Sequence, residues 1–197
     1  MMTTSTRKIR ILMFCLALAC MAATSSLALA ATGTEEQVGL LTVTGTVRVN
    51  GKPAATGDIV VAGSEVQTAK GSSAVVSLGK LGRIEALPST TMKLRYDINT
   101  TTHSLASIAI LLGDGSVKVS TGEEGMVNVE AGLTATRASL DTDQNVFTVD
   151  KTCGNTLVSV EKGKVELRFG NKVKPITAGG QDTAGQAKPG CTLSRNR

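Results

Sequence analysis

His103 is the one histidine of this 197-residue chain, and Cys153 is the cysteine that could serve it as a nucleophile. A thiol dyad needs an imidazole within reach of a reduced cysteine, so that the ring takes the thiol proton. His103 instead sits in a polar run, Asn99-Thr100-Thr101-Thr102-His103-Ser104, which reads as a loop. Asp141-Thr142-Asp143-Gln144-Asn145 sets oxygen ligands at alternate positions, as the start of a calcium loop does. Val146 stands where that loop needs glycine, and Thr152 where it needs a bidentate glutamate. Asp and Asn favour turns for their own reasons, and the stretch reads as a turn. One histidine and two late cysteines make no zinc set. No glycine-rich loop runs into a phosphate-binding lysine, and no Gly-x-Ser-x-Gly elbow presents a serine. The chain reads as a non-enzymatic binder with no cofactor and no metal.

Those late cysteines depend on where the chain is folded. Arg7, Lys8 and Arg10 give a basic start, Ile11 to Ala19 is apolar without a charge, and Ala28-Leu29-Ala30 precedes Ala31. A basic region, an apolar region and an A-x-A site are the parts of a secretory signal, here cut between Ala30 and Ala31. An uncleaved anchor and a lipoprotein cut before Cys20 are the alternatives. Export leads to the periplasm or the medium, where disulfides persist. Cys15 and Cys20 leave with the leader, and Cys153 and Cys191 remain to pair, tying the polar tail to the domain.

The charge is uneven. Residues 31–150 hold 9 basic and 13 acidic side chains, and residues 151–197 hold 9 basic and 3 acidic. Such asymmetry either marks an anionic partner or is a solvated face. In Lys162-Gly163-Lys164-Val165-Glu166-Leu167-Arg168-Phe169, strand alternation separates Lys164, Glu166 and Arg168 from Val165, Leu167 and Phe169. Gly170-Asn171 reads as a turn, and the return strand then adds Lys172 and Lys174 beside the first charges. Lys162, Lys164, Arg168, Lys172 and Lys174 form the candidate basic face. Aromatics are 2% of the chain, and after the leader only Tyr96, Phe147 and Phe169 remain. That is too few for the stacking platforms that hold single-stranded nucleic acid, so no nucleic acid is expected.

The elements that must carry these residues are strands. Short apolar runs such as Leu40 to Val43, Thr46 to Val49, Ala74 to Leu78, Arg83 to Leu87 and Met92 to Tyr96 alternate with turn residues. Asn50-Gly51 is a strong hairpin signal. Leu105 to Leu112 and Ser116 to Val119 read as two strands parted by Gly113-Asp114-Gly115. Phe147 to Val149, Leu157 to Val160 and Lys164 to Phe169 follow. The fold class is all-β, many short strands in a layered, solenoid-like or sandwich arrangement. An internal echo points the same way: Gly45-Thr46-Val47, Gly115-Ser116-Val117 and Gly163-Lys164-Val165 each lead on to an Ala-Gly pair. The organisation is a signal peptide at 1–30, a linker at 31–38, a β domain at 39–180 and a polar tail at 181–197 tethered by the disulfide.

Gly57-Asp58-Ile59-Val60-Val61-Ala62-Gly63-Ser64-Glu65-Val66-Gln67-Thr68 resembles the G-D-x-[IV]-x-x-G-x-x-[IV]-x-T core of the FecR domain. Ser73 to Leu78 and Arg83 to Leu94 continue in register, with Gly79-Lys80-Leu81-Gly82 where the family usually has Asp-Gly-Ser. Phe147-Thr148-Val149, Thr156 to Val165 and Ile176-Thr177-Ala178-Gly179 are similar to later family elements. The resemblance spans about Leu40 to Gly180. It implies the periplasmic β module of FecR-type regulators, standing alone without their cytoplasmic anti-sigma segment and without catalytic residues. The expected partner is another envelope protein, met through strand edges or an apolar patch. The alternative is an anionic glycan or lipopolysaccharide, which would need the five basic side chains on one face.

Overall fold

Residue pattern and turn chemistry give sixteen strands and a single 3-10 turn, Gly79–Leu81, in a computed structural model that describes residues 39–98, 105–122 and 126–185. The all-β reading holds. The strands form two sheets. Sheet A runs β4 (Ile59–Val60), β1 (Gly39–Thr44), β6 (Ser73–Ser77), β7 (Gly82–Ala86), β9 (Leu105–Thr121), β12 (Val146–Thr152), β13 (Asn155–Lys162), β16 (Gln181–Gly185). Sheet B runs β3 (Lys52–Pro53), β2 (Val47–Val49), β5 (Glu65–Thr68), β8 (Thr91–Ile98), β9 again, β10 (Val127–Ala131), β11 (Thr134–Ala138), β14 (Lys164–Phe169), β15 (Lys172–Thr177). Every pairing among the described residues is antiparallel except β9 with β10.

The expected stop at Gly113-Asp114-Gly115 is instead the middle of β9. The 17-residue strand serves both sheets. Its first part pairs with β8 and β10, and Gly115 to Thr121 pair with β7 and β12. The ladder with β8 slips between Thr91 and Met92, so Gly113 is an extra residue, a bulge of the kind that bends a strand. Two residues on, Gly115 has φ 95 and lies against the β7–β8 connection, where a Cβ would stand 2.6 Å from the Ser89 carbonyl. Only glycine fits that approach. The signal read as a break is a corner.

Three such corners carry the chain between sheets, and they are the segments of the internal echo. Gly45 separates β1 from β2, Gly115 divides β9, and Gly163 separates β13 from β14. At each, the next backbone N–H donates to a buried side-chain oxygen. Thr46 N meets Ser72 Oγ, Ser116 N meets Thr90 Oγ1, and Lys164 N meets Asn145 Oδ1, all at 2.9 Å. A corner lifts one N–H out of both ladders, and a buried donor left unpaired would cost about 1–3 kcal/mol. The Ala-Gly pairs that follow lie at turns, Ala62-Gly63 before β5, Ala131-Gly132 at the end of β10 before β11, and Ala178-Gly179 before β16. What recurs is the corner, not a whole repeating unit.

Alternation then fills one core between the sheets. Leu41, Val76, Ile84, Val117, Val119, Phe147, Val149 and Val158 face inward from sheet A, and Val66, Met92, Leu94, Ile108, Ile110, Val129, Val165 and Leu167 from sheet B. Each fully buried Val, Leu or Ile contributes about 1.5–3 kcal/mol relative to an exposed one. Residues 181–185, expected in the tail, are β16: the Val158 and Thr156 ladder recruits them although their own sequence has no apolar alternation.

The corners predict a measurable cost. Asn145 Oδ1 accepts from Lys164 N and Thr142 Oγ1, while its Nδ2 donates to the Ser139 carbonyl. Asn145→Ala is expected to lower unfolding free energy by about 2–3 kcal/mol in urea melts, because buried groups lose partners. A loss below about 0.5 kcal/mol, the range of ordinary surface substitutions, would contradict the role given to this side chain.

Candidate functional site

The five basic side chains do not share a face. Burial alternates along β14 as expected, with Val165 and Leu167 inward and Arg168 outward. The turn at Gly170-Asn171 is also as expected, with Phe169 opposite Lys172. Directly opposed residues of an antiparallel pair point to the same side. Lys172 opposes Phe169 and Lys174 opposes Leu167, so both lysines lie on the inward side of sheet B, where its last strand overhangs the core. Lys164 and Arg168 lie on the outward side, opposite Thr177 and Val173. Lys162 stands at the end of β13 in sheet A, before the Gly163 corner. The expected two-residue turn itself therefore divides the patch, because it sets Lys172 and Lys174 opposite apolar residues.

Most of these cations already have partners. Lys174 Nζ lies 2.5 Å from Asp182 Oδ2, joining β15, the last strand of sheet B, to β16, the last strand of sheet A. This pair closes the open end of the sandwich. The hydrogen bond from the Lys174 ammonium holds the Asp182 carboxyl below its ordinary value of 3.8, and the Thr183 backbone N–H adds to it. Arg168 Nη2 lies 3.1 Å from Glu166 Oε2, and Lys162 Nζ donates to Gln144 Oε1 at 2.8 Å.

The outward side of sheet A has a different character. One row of facing residues crosses seven strands: Thr42, Val75, Glu85, Lys118, Thr148, Ser159 and Gln181. Lys118 pairs there with Glu161 at 2.7 Å and Arg83 with Glu85 at 3.6 Å, while Asp150 accepts from the Thr152 hydroxyl. At one margin Leu40 and Ile59 stand directly opposite each other, 55% and 63% exposed. Leu157 is exposed toward the other margin. The sequence held a signal for that apolar pair. In Leu40-Leu41 and Ile59-Val60, two successive apolar residues on a strand with one buried face put one of them outside.

The calcium-like run resolves into structure. Asp141 to Asn145 is a turn, with Asp141 bonded to Ser139 and Asn145 serving the corner. No group of three His, Cys, Asp or Glu that could hold a metal occurs among the described residues. A shallow groove of about 320 Å³ lies beside the Gly113 bulge. Its Glu65, Lys93 and Glu130 walls are engaged in part, Glu65 with Gln67 and Glu130 with Arg95. His103 lies outside the described residues, as do Ala30, Ala31 and Cys191. Cys153 and Gly154 form a two-residue turn between β12 and β13, with φ 58 and 82. Asn50-Gly51 forms the same turn between β2 and β3, with φ 52 and 76. Asparagine suits that left-handed position and cysteine does not. The FecR-like stretch is structural too: Thr68 Oγ1 donates to the Leu87 carbonyl at 2.6 Å and accepts from Thr90 N at 2.9 Å.

No family model matches the chain, and no curated protein matches it. Two crystal structures of a proposed anti-sigma factor from Parabacteroides distasonis ATCC 8503, at 1.65 Å and 2.50 Å resolution, are similar to it. They are 19% and 18% identical to it, with TM-scores of 0.47 and 0.48, and each alignment covers 61% of this chain. The alignments cover 54% of those proteins, so the chain spans about half their length.

The Lys174–Asp182 latch sets a pH dependence. A carboxyl with a lowered folded pKa stabilises the fold above its unfolded value and loses that contribution as pH falls through the folded one. Lys174 is largely exposed, so the pair is worth about 0.2–1 kcal/mol. Asp182→Asn is expected to unfold at lower urea than the parent at pH 7 and to match it once the carboxyl is protonated near pH 2. A deficit that persists unchanged in acid would show that the ion pair is not its cause.

Proposed function

We propose that this chain is a non-catalytic protein-binding module of the bacterial envelope, of FecR type, and that it meets its partner through the outward face of sheet A. One observation carries the reading: that face crosses seven strands, four of its charges are taken up in two ion pairs, and the exposed Leu40–Ile59 pair lies at its margin. Protein partners bury apolar groups inside a polar rim. Edge chemistry agrees with it. β3 carries Lys52-Pro53 and β15 carries Lys174-Pro175, residues that blunt an edge against unwanted pairing, whereas β16 has neither lysine nor proline. The anionic-glycan reading needs five cations gathered together, and the register of β14 with β15 divides them.

Export through cleavage after Ala30 and a Cys153–Cys191 disulfide belong to the same proposal. A cysteine in the left-handed position of a tight turn carries a strain of about 1–2 kcal/mol, which a tether there would explain. Intact mass of the exported protein, before and after reduction, reads both features at once.

A photoreactive residue at position 59 is expected to cross-link a discrete protein in intact cells, and one at position 164 is not. Leu40→Lys, on an exposed side chain, should abolish the adduct while leaving the melting curve unchanged. Envelope binding that falls steeply with salt, and is lost when Lys164, Arg168 and Lys172 become Gln, would overturn the proposal in favour of an anionic polymer.

A further inference from the structure

Met126 immediately precedes β10, on the outward side of sheet B, and is partly exposed. Its carbonyl accepts the Ile108 N–H at 2.8 Å, beside the parallel pairing of β9 with β10. Its Sδ lies 3.3 Å from Nη2 of Arg137 on β11. Arg137 has a better acceptor directly across the ladder, Glu166 on β14, but that carboxylate is held by Arg168. Arg137 makes no ion pair among the described residues. An exposed guanidinium with five donors is thus aimed at a thioether, which is a weak acceptor.

We propose that Met126 is a site of reversible oxidation, and that Arg137 receives the sulfoxide. The co-reactant is a two-electron oxidant of the peroxide class. A sulfur lone pair attacks one peroxide oxygen, the O–O bond breaks, an S–O bond forms and water leaves. Sulfur loses two electrons and the peroxide gains them. Oxidation of methionine ordinarily disrupts its surroundings, because an apolar side chain becomes polar. Here the new oxygen forms beside a charged donor at the surface, and a charge-assisted hydrogen bond replaces the weak contact. Met92 is the internal contrast. It is fully buried in the core, with apolar neighbours.

Graded hydrogen peroxide on the purified chain, read by peptide mapping, is expected to oxidise Met126 at least about tenfold faster than Met92, with a methionine sulfoxide reductase reversing it. Thermal melts before and after oxidation then test Arg137. The parent should keep or raise its Tm on oxidation, and Arg137→Ala should lose Tm on the same treatment. Equal oxidation of Met126 and Met92, or the same change in Tm with and without Arg137, would overturn the proposal.

Discussion

The structure depends on one constraint: a single strand must belong to two sheets. β9 can do so only if it turns a corner in mid-length without leaving a backbone group unpaired. The Gly113 bulge begins the bend, Gly115 completes it, and the Thr90 hydroxyl takes the N–H that the bend frees. The same solution at Gly45 and Gly163 carries the chain across near the beginning and near the end. Ser72, Thr90 and Asn145 are buried, yet each is a connector and not an intrusion into the core. With the crossings secured, the two inward faces share one apolar cluster.

That arrangement decides what remains for function. Both sheets turn a face outward, and the core between them is an apolar cluster. Two ion pairs take up four charges on the outward face of sheet A, and the Lys174–Asp182 pair joins the last strands of the two sheets. Among the described residues, β16 is the one sheet margin of more than two residues that has neither lysine nor proline. The exposed Leu40–Ile59 pair is the feature of sheet A that its own fold does not explain, and the proposed protein contact rests on it.

Much of the fold was legible in the sequence because period two and turn residues are local signals. The Asn50-Gly51 hairpin, the alternation along β14 and the Gly170-Asn171 turn needed nothing else. What escaped was tertiary. Thr134-Ala135-Thr136-Arg137-Ala138 did not read as a strand because its buried positions are threonines and an alanine, yet β11 lies between two partners that impose it. Gly113-Asp114-Gly115 looked like a break because a corner and a turn use the same residues. The basic face did not gather because opposed residues share a side: across the expected two-residue turn Lys172 meets Phe169 and Lys174 meets Leu167, away from Lys164 and Arg168. The Leu40–Ile59 pair was legible in part, as adjacent apolar residues, but their meeting across β1 and β4 was not.

The central claim is that β9 and its corner make the two sheets one cooperative unit. Native-state hydrogen exchange with residue resolution tests it most directly. The account predicts that the slowest amides of β12 in sheet A and of β8 in sheet B open with the same free energy, and that Gly115→Ala lowers both together. Protection that persists in one sheet while the other is lost would contradict it, and would mean that the sheets fold apart with β9 as a mere link.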